Sequence, residues 1–174
     1  MRLFIAIPLP PDARRAALEA QRALQAAGAT GRFVPDENFH ITLHFIGESK
    51  RLLDITEAMR DAARDIRPFL LRLGDYACFA RGGGSSAHLT VVCDGDELRR
   101  LHESLSYALG ERGFLGGHAR LTPHITLGRC VCGDEGFSWN GRKTAFRAGG
   151  IALYESRREA GRMRYIPVHR EIFA

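Results

Sequence analysis

Lysine is almost missing from this sequence: Lys50 and Lys143 stand beside 23 arginines and against 20 acidic residues, for a formal charge of +5. A basic balance carried by guanidinium suits a phosphate-bearing partner, which the planar fork grips with two bonds at once, although codon bias in a GC-rich genome gives the same arginine excess. Cysteine is scarce as well. Cys78, Cys93, Cys130 and Cys132 include no Cys-x-x-Cys pair, which excludes a disulfide scaffold in a chain of 174 residues. Reduced thiols are expected, and Cys130-x-Cys132 reads as structural or incidental, since two thiols at that spacing make a poor zinc site. No apolar run reaches 18 residues, which excludes a membrane-spanning helix. Low-complexity tracts are lacking too, and with 45% hydrophobic residues this excludes a disordered chain. The apolar residues 1–10 stop at prolines and lack a signal-peptide cleavage site, so they read as the first strand of a cytoplasmic protein.

What is present has a clear order. A strand over residues 3–7 precedes a helix opened by Pro10-Pro11-Asp12 and closed by Gly28. A strand over 38–46 ends at Gly47, and a helix over about 51–66 carries Ile55, Met59, Ala62 and Ile66 at helical spacing. Residues 69–79 read as a strand and Arg81-Gly-Gly-Gly-Ser-Ser86 as a flexible loop. The pattern then repeats: a strand over 89–93, a helix faced by Leu98, Leu101, Leu105 and Leu109, a basic loop, and His124-Ile-Thr-Leu127. Two strands close the chain, over 148–154 and 163–169.

The first strand recurs after about 86 residues, its helix after about 84, and the string His-Ile-Thr-Leu after 84, from His40 to His124. Two βαβ-like halves follow, predicting one α+β domain over 1–174 whose repeats begin near residues 2 and 88. Seven histidines and seven threonines predict fewer than one His-x-Thr triplet by chance, yet three occur. His40/Thr42 and His124/Thr126 occupy matching places in the repeat. His88/Thr90 does not: the same offset sets His88 opposite residues 2–4, at a lobe edge outside the cleft.

On a strand, residues two apart share a face, so His40 and Thr42 point one way while Ile41 and Leu43 are free to be buried. His124 and Thr126 do the same. Two opposed imidazoles divide the work of a general acid and a general base, and the hydroxyls and nearby arginines hold a charged oxygen. Such a site suits in-line attack on a cyclic phosphodiester without metal or other cofactor, and predicts a bell-shaped pH profile in the near-neutral range. Parity also puts His44 on the face of His40, as a substrate or supporting contact. Phe45, Trp139, Tyr154 and Tyr165 are aromatic candidates for stacking a base at the cleft mouth, although core packing is the simpler reading for each.

These segments resemble the two-histidine (2H) phosphoesterases, and within them the bacterial LigT-like RNA 2′,3′-cyclic phosphodiesterases, also called 2′-5′ RNA ligases. The likeness covers nearly the whole chain. It is carried by Arg2-Leu-Phe-Ile-Ala-Ile-Pro-Leu-Pro10, Val34-Pro-Asp-Glu-Asn-Phe-His-Ile-Thr-Leu-His-Phe-Ile-Gly47, Thr122-Pro-His-Ile-Thr-Leu-Gly-Arg129, Gly136-Phe-Ser-Trp139, Leu153-Tyr-Glu-Ser156 and Gly161-Arg-Met-Arg-Tyr165. Phe33, Thr90 and Leu121-Thr122 depart from the family's usual residues.

The resemblance implies a bilobal fold, two pseudo-symmetric sheet lobes with helices outside and a central cleft. It also implies hydrolysis of an RNA 2′,3′-cyclic phosphate to a 2′-phosphomonoester. His40 is then the general acid and His124 the general base, and Thr42, Thr126 and Arg129 bind phosphate oxygens; Tyr165 stays a candidate substrate contact on its aromatic character alone. Strict alternation sets Arg129 on the wrong face, which a bend at Gly128 would correct. The expected partner is RNA ending in a cyclic phosphate, tRNA fragments included, with no membrane and a monomeric enzyme. Competing readings are reversible 2′-5′ ligation, hydrolysis of a small cyclic nucleotide, and a non-catalytic RNA-binding module.

Overall fold

In the computed structural model, which describes residues 1–114 and 120–174, the chain runs β1 (Arg2–Pro8), α1 (Pro11–Ala26), β2 (Thr30–Phe33), β3 (His40–Glu48), α2 (Leu52–Ala63), β4 (Phe69–Arg81), β5 (Gly84–Val92), α3 (Glu97–Glu111), β6 (His124–Cys132), β7 (Ala145–Ala148), β8 (Gly150–Glu159) and β9 (Arg162–Ile172). Most of the basic loop expected before His124 lies outside the described residues. The strands form two antiparallel sheets, ordered β3-β1-β8-β9 and β2-β6-β5-β4-β7. The second sheet repeats the first: β6-β5-β4-β7 stand in the order of β3-β1-β8-β9, with β2 added outside β6. Neighbours on either side of a helix, β1/β3 and β5/β6, pair antiparallel, so the halves are not βαβ units.

Each helix is fixed by an apolar stripe. In α1 the buried positions Ala13, Ala16, Ala17, Ala20 and Leu24 follow helical spacing, and their small side chains let the helix lie close to the sheet. Pro11 at its first turn and Gly28 with φ 98° beyond its end supply the start and stop. All four leucines expected on the face of α3 are buried. One apolar cluster runs through both sheets and all three helices, from Ile5, Ile7 and Ile41 to Leu73, Leu89, Ile125 and Leu127. No helix among the described residues is long and apolar enough to cross a membrane.

The glycine-rich run is not a loop. Arg81 pairs with Gly84 and Ala80 with Ser85, so β4 and β5 form a hairpin turned by Gly82 and Gly83. Gly83, the second turn residue, has φ 85°, the left-handed backbone that a type II turn asks of that position and that glycine adopts freely. Nor was β2 expected, because Thr30-Gly-Arg-Phe33 has no alternation and buries no residue fully.

One buried polar group ties the architecture to the cleft. Gln21 Nε2, on α1, donates to the carbonyls of Val34 and Leu127 at 2.7 and 2.8 Å, and the Val34 amide also donates to Leu127 at 2.9 Å. Leu127 is where β6 bulges, since Thr126 pairs with His88 and Gly128 with Ala87. Gln21→Leu leaves acceptors at the bulge short of a donor, and a loss of about 1–3 kcal/mol is expected. Urea unfolding of the two proteins measures it; equal midpoints would show that the bulge holds without Gln21.

Candidate active site

β3 and β6 bring the two His-Ile-Thr-Leu strings to one cleft. His40 Nδ1 lies 2.7 Å from the Asn38 carbonyl and His124 Nδ1 lies 2.7 Å from the Thr122 carbonyl. A carbonyl only accepts, so each Nδ1 carries the hydrogen and each Nε2 of the neutral ring carries none. His40 Nε2 sits 2.9 Å from Thr42 Oγ1, whose hydroxyl donates to the neutral ring. The first sheet curls until the start of β3 meets the free edge of β9. There Asn38 Nδ2 donates to the Met163 carbonyl at 2.8 Å, and the Tyr165 amide donates to Asn38 Oδ1 at 3.4 Å. That curl packs His40 among aromatic rings, with Phe4 at 4.9 Å and Tyr165 edge-on at 5.1 Å.

Burial in this nest pushes the His40 pKa down to about 4, opposed by the Asn38 hydrogen bond and assisted by the charges of Arg129 and His124. Those two charges act from the opposite lobe. A cavity of about 380 Å³ opens here, its wall including Phe4, His40, Phe45, Arg129, Met163 and Tyr165.

Three sequence-based placements change. Leu43 is an extra residue in β3, because Ala6 pairs with Thr42 and Ile5 with His44. This bulge flips the parity, so His44 shares the core face with Ile5 and is only 4% exposed, which closes it to substrate contact, the first of the two roles expected of it. The equivalent bulge at Leu127, one residue before the expected bend at Gly128, returns Arg129 to the face of His124 and Thr126. His88 is not at a lobe edge: it pairs with Thr126, is 2% exposed, stacks on Phe79 at 4.3 Å and meets the His124 ring at 5.0 Å. Since Thr126 faces His88 as Thr42 faces Ala6, the true equivalent of His88 is Ala6.

The bulges also expose a residue assigned no firm role above. Phe45 is 70% exposed and lines the cavity. The offset of 84 that maps His40 on His124 maps Phe45 on Arg129, so each lobe sets one large side chain, aromatic or cationic, at the same place beside its histidine. Among the described residues no group of three His, Cys, Asp or Glu side chains is placed to hold a metal ion.

Two curled, pseudo-symmetric antiparallel sheets with a His-x-Thr strand from each in the shared cleft define a bilobal two-histidine phosphoesterase fold. A crystallised protein of Thermus thermophilus has this fold with a TM-score of 0.85 at 27% identity, covering 99% of this chain and 98% of that one. So does Escherichia coli LigT complexed with 3′-AMP, with a TM-score of 0.81, 27% identity and coverage of 99% and 97%. The chain belongs to the 2′-5′ RNA ligase superfamily, whose family profile matches residues 10–136. Among its relatives, the RNA 2′,3′-cyclic phosphodiesterase of Thermotoga maritima is 30% identical over 131 residues, 74% of this chain and 70% of that protein. The RNA 2′,3′-cyclic phosphodiesterase of Escherichia coli is 28% identical over 179 residues, 97% of this chain and 94% of that protein.

Proposed function

We propose that residues 1–174 form one catalytic domain of two repeats that hydrolyses RNA 2′,3′-cyclic phosphate ends to 2′-phosphomonoesters. The observation that carries this reading is the pair of imidazoles on equivalent strands, each with Nδ1 tied to the carbonyl two residues back and Nε2 left for chemistry. His124 Nε2 takes a proton from water as the oxygen attacks phosphorus. The P–O3′ bond breaks on the opposite side, and His40 delivers the proton that the departing O3′ needs. Thr42, Thr126 and Arg129 hold the non-bridging oxygens, and Tyr165 walls the nucleoside side of the cavity. The relatives' names and the 3′-AMP bound to Escherichia coli LigT support the substrate class.

The low pKa of His40 fits this role only with substrate present. Burial and the guanidinium charge of Arg129 hold the ring neutral in the empty site; an anionic phosphodiester offsets that charge and favours the imidazolium a general acid requires. The expected pH profile is therefore displaced from the near-neutral bell. For kcat/KM, which reports the free enzyme, one limb is expected near pH 4. In NMR titration the His40 ring should follow that value in the free protein and move upward with adenosine 2′-monophosphate bound. A His40 that titrates near 6.5 without ligand and does not move with it would contradict this electrostatic account.

The activity itself is tested with an oligoribonucleotide ending in a 2′,3′-cyclic phosphate. The expected product is the same strand with a terminal 2′-phosphate, identified by ³¹P NMR and mass. A 3′-phosphate, or an unchanged substrate, rules the reading out. Adding a second strand with a 5′-hydroxyl asks whether the reverse, 2′-5′ joining, occurs at the same site.

A further inference from the structure

The hairpin of β8 and β9 treats its arginines differently on its two faces. Outside, Glu155, Arg157 and Glu159 share a face with Arg162 and Arg164. There Arg157 lies 2.6 Å from Glu155 and 3.5 Å from Glu159, and Arg164 lies 3.4 Å from Glu159. Inside, Ser156 pairs with Tyr165 and Arg158 with Met163, and three of these four, Ser156, Met163 and Tyr165, line the cavity that holds His40 and Arg129. Arg158 continues that inner face about 7 Å past Ser156 at the rise of a strand. It is exposed and forms no ion pair among the described residues. Arg2, on β1, lines the same cavity, and it too forms none among the described residues. Two guanidinium groups without an ion pair among the described residues therefore lie on this side of the sheet, Arg2 in the cavity wall, where its cross-strand partner Glu48 is held by the Met1 amino group, and Arg158 further along the inner face of the hairpin.

A strand that ends in a cyclic phosphate has nothing 3′ of it, so its next anionic group is the phosphodiester on the 5′ side of the terminal nucleoside. Guanidinium is the side chain best matched to that group. We propose that Arg2 and Arg158 form a subsite for this phosphodiester, making the enzyme one that prefers the end of an RNA strand to a free cyclic mononucleotide. The proposal rests on the cyclic phosphodiesterase reading above and adds which substrates it favours.

The test compares adenosine 2′,3′-cyclic phosphate with the dinucleotide ApA ending in the same cyclic phosphate, together with the dinucleotide's uncharged methylphosphonate-linked analogue. Each protein's rate on the mononucleotide is its own reference. For the wild type, kcat/KM on the dinucleotide is expected to exceed that on the mononucleotide by about 10-fold or more, as one charge-assisted contact supplies. Most of that gain should sit in KM and shrink as salt rises. Arg158→Ala and Arg2→Ala are each expected to reduce the ratio several-fold, the double variant to bring it close to one, and the methylphosphonate linkage to do the same in the wild type. A wild-type ratio near one, or a ratio that survives the double substitution, overturns the subsite. Failure to hydrolyse any of the three compounds instead overturns the phosphodiesterase reading on which it stands.

Discussion

His40→Ala and His124→Ala are each expected to lower kcat/KM by at least about 100-fold, the usual contribution of a positioned general acid or base. Circular dichroism should show both variants folded, because each ring projects into the cleft rather than into the main apolar cluster. The loss should appear chiefly in kcat, since the protons move only in the transition state. Asparagine at either place keeps polarity but supplies no comparable proton donor or acceptor, and is expected to be as poor as alanine. Residual activity within a few-fold of wild type in either variant would remove that histidine from the reaction. His88→Ala is not a silent control for this series. Its ring fills the space between Phe79 and His124, and truncating a buried ring leaves a cavity directly beside His124.

Arg129→Ala is expected to move two observables in opposite senses. On the proposed role of Arg129 it removes a charged hydrogen-bond donor from the phosphate, worth about 1.5–3 kcal/mol, so kcat/KM should fall by about 10- to 150-fold. It also removes one of the positive charges that depress His40, so the His40 pKa should rise above about 4 in the free protein. Kinetics reads the first effect and NMR titration the second. A fall in activity with an unmoved His40 would mean that the guanidinium does not face the imidazole across the cleft. Arg129→Lys separates charge from geometry: it should keep His40 low while recovering only part of the rate, because an ammonium lacks the planar fork.

Much of this site is legible in the sequence because its main signal is a repetition. His40-Ile-Thr-Leu43 and His124-Ile-Thr-Leu127 carry their own internal control, and the period-two rule correctly sends Ile41, Leu43, Ile125 and Leu127 to the core. The same rule fails one residue later. A bulge at Leu43 and its twin at Leu127 arise from how β3 meets β1 and how β6 meets β5, a pairing between strands that no single-strand pattern contains. Strict alternation therefore sets His44 in the cleft and asks for a bend before Arg129. His88 is misplaced for a related reason: an offset measured along the chain averages over strands and helices, whereas the ladder register aligns His88 with Ala6. Composition misleads at the glycine-rich segment, where a tight hairpin and a loop ask for the same residues. Phe45 could have been read as the counterpart of Arg129 from the 84-residue offset alone.

The division of labour between the two histidines is tested most directly by changing the leaving group. In a 2′,3′-cyclic substrate whose bridging 3′ oxygen is replaced by sulfur, the departing atom is a thiolate, stable enough near neutral pH to leave without a proton. If His40 is the acid and His124 the base, His40→Ala should hydrolyse the 3′-thio compound within a few-fold of wild type while staying at least about 100-fold impaired on the oxygen compound. His124→Ala should be impaired on both. Equal impairment of His40→Ala on the two substrates would contradict the assignment, because the step that its proton serves would then not be departure of the 3′ atom.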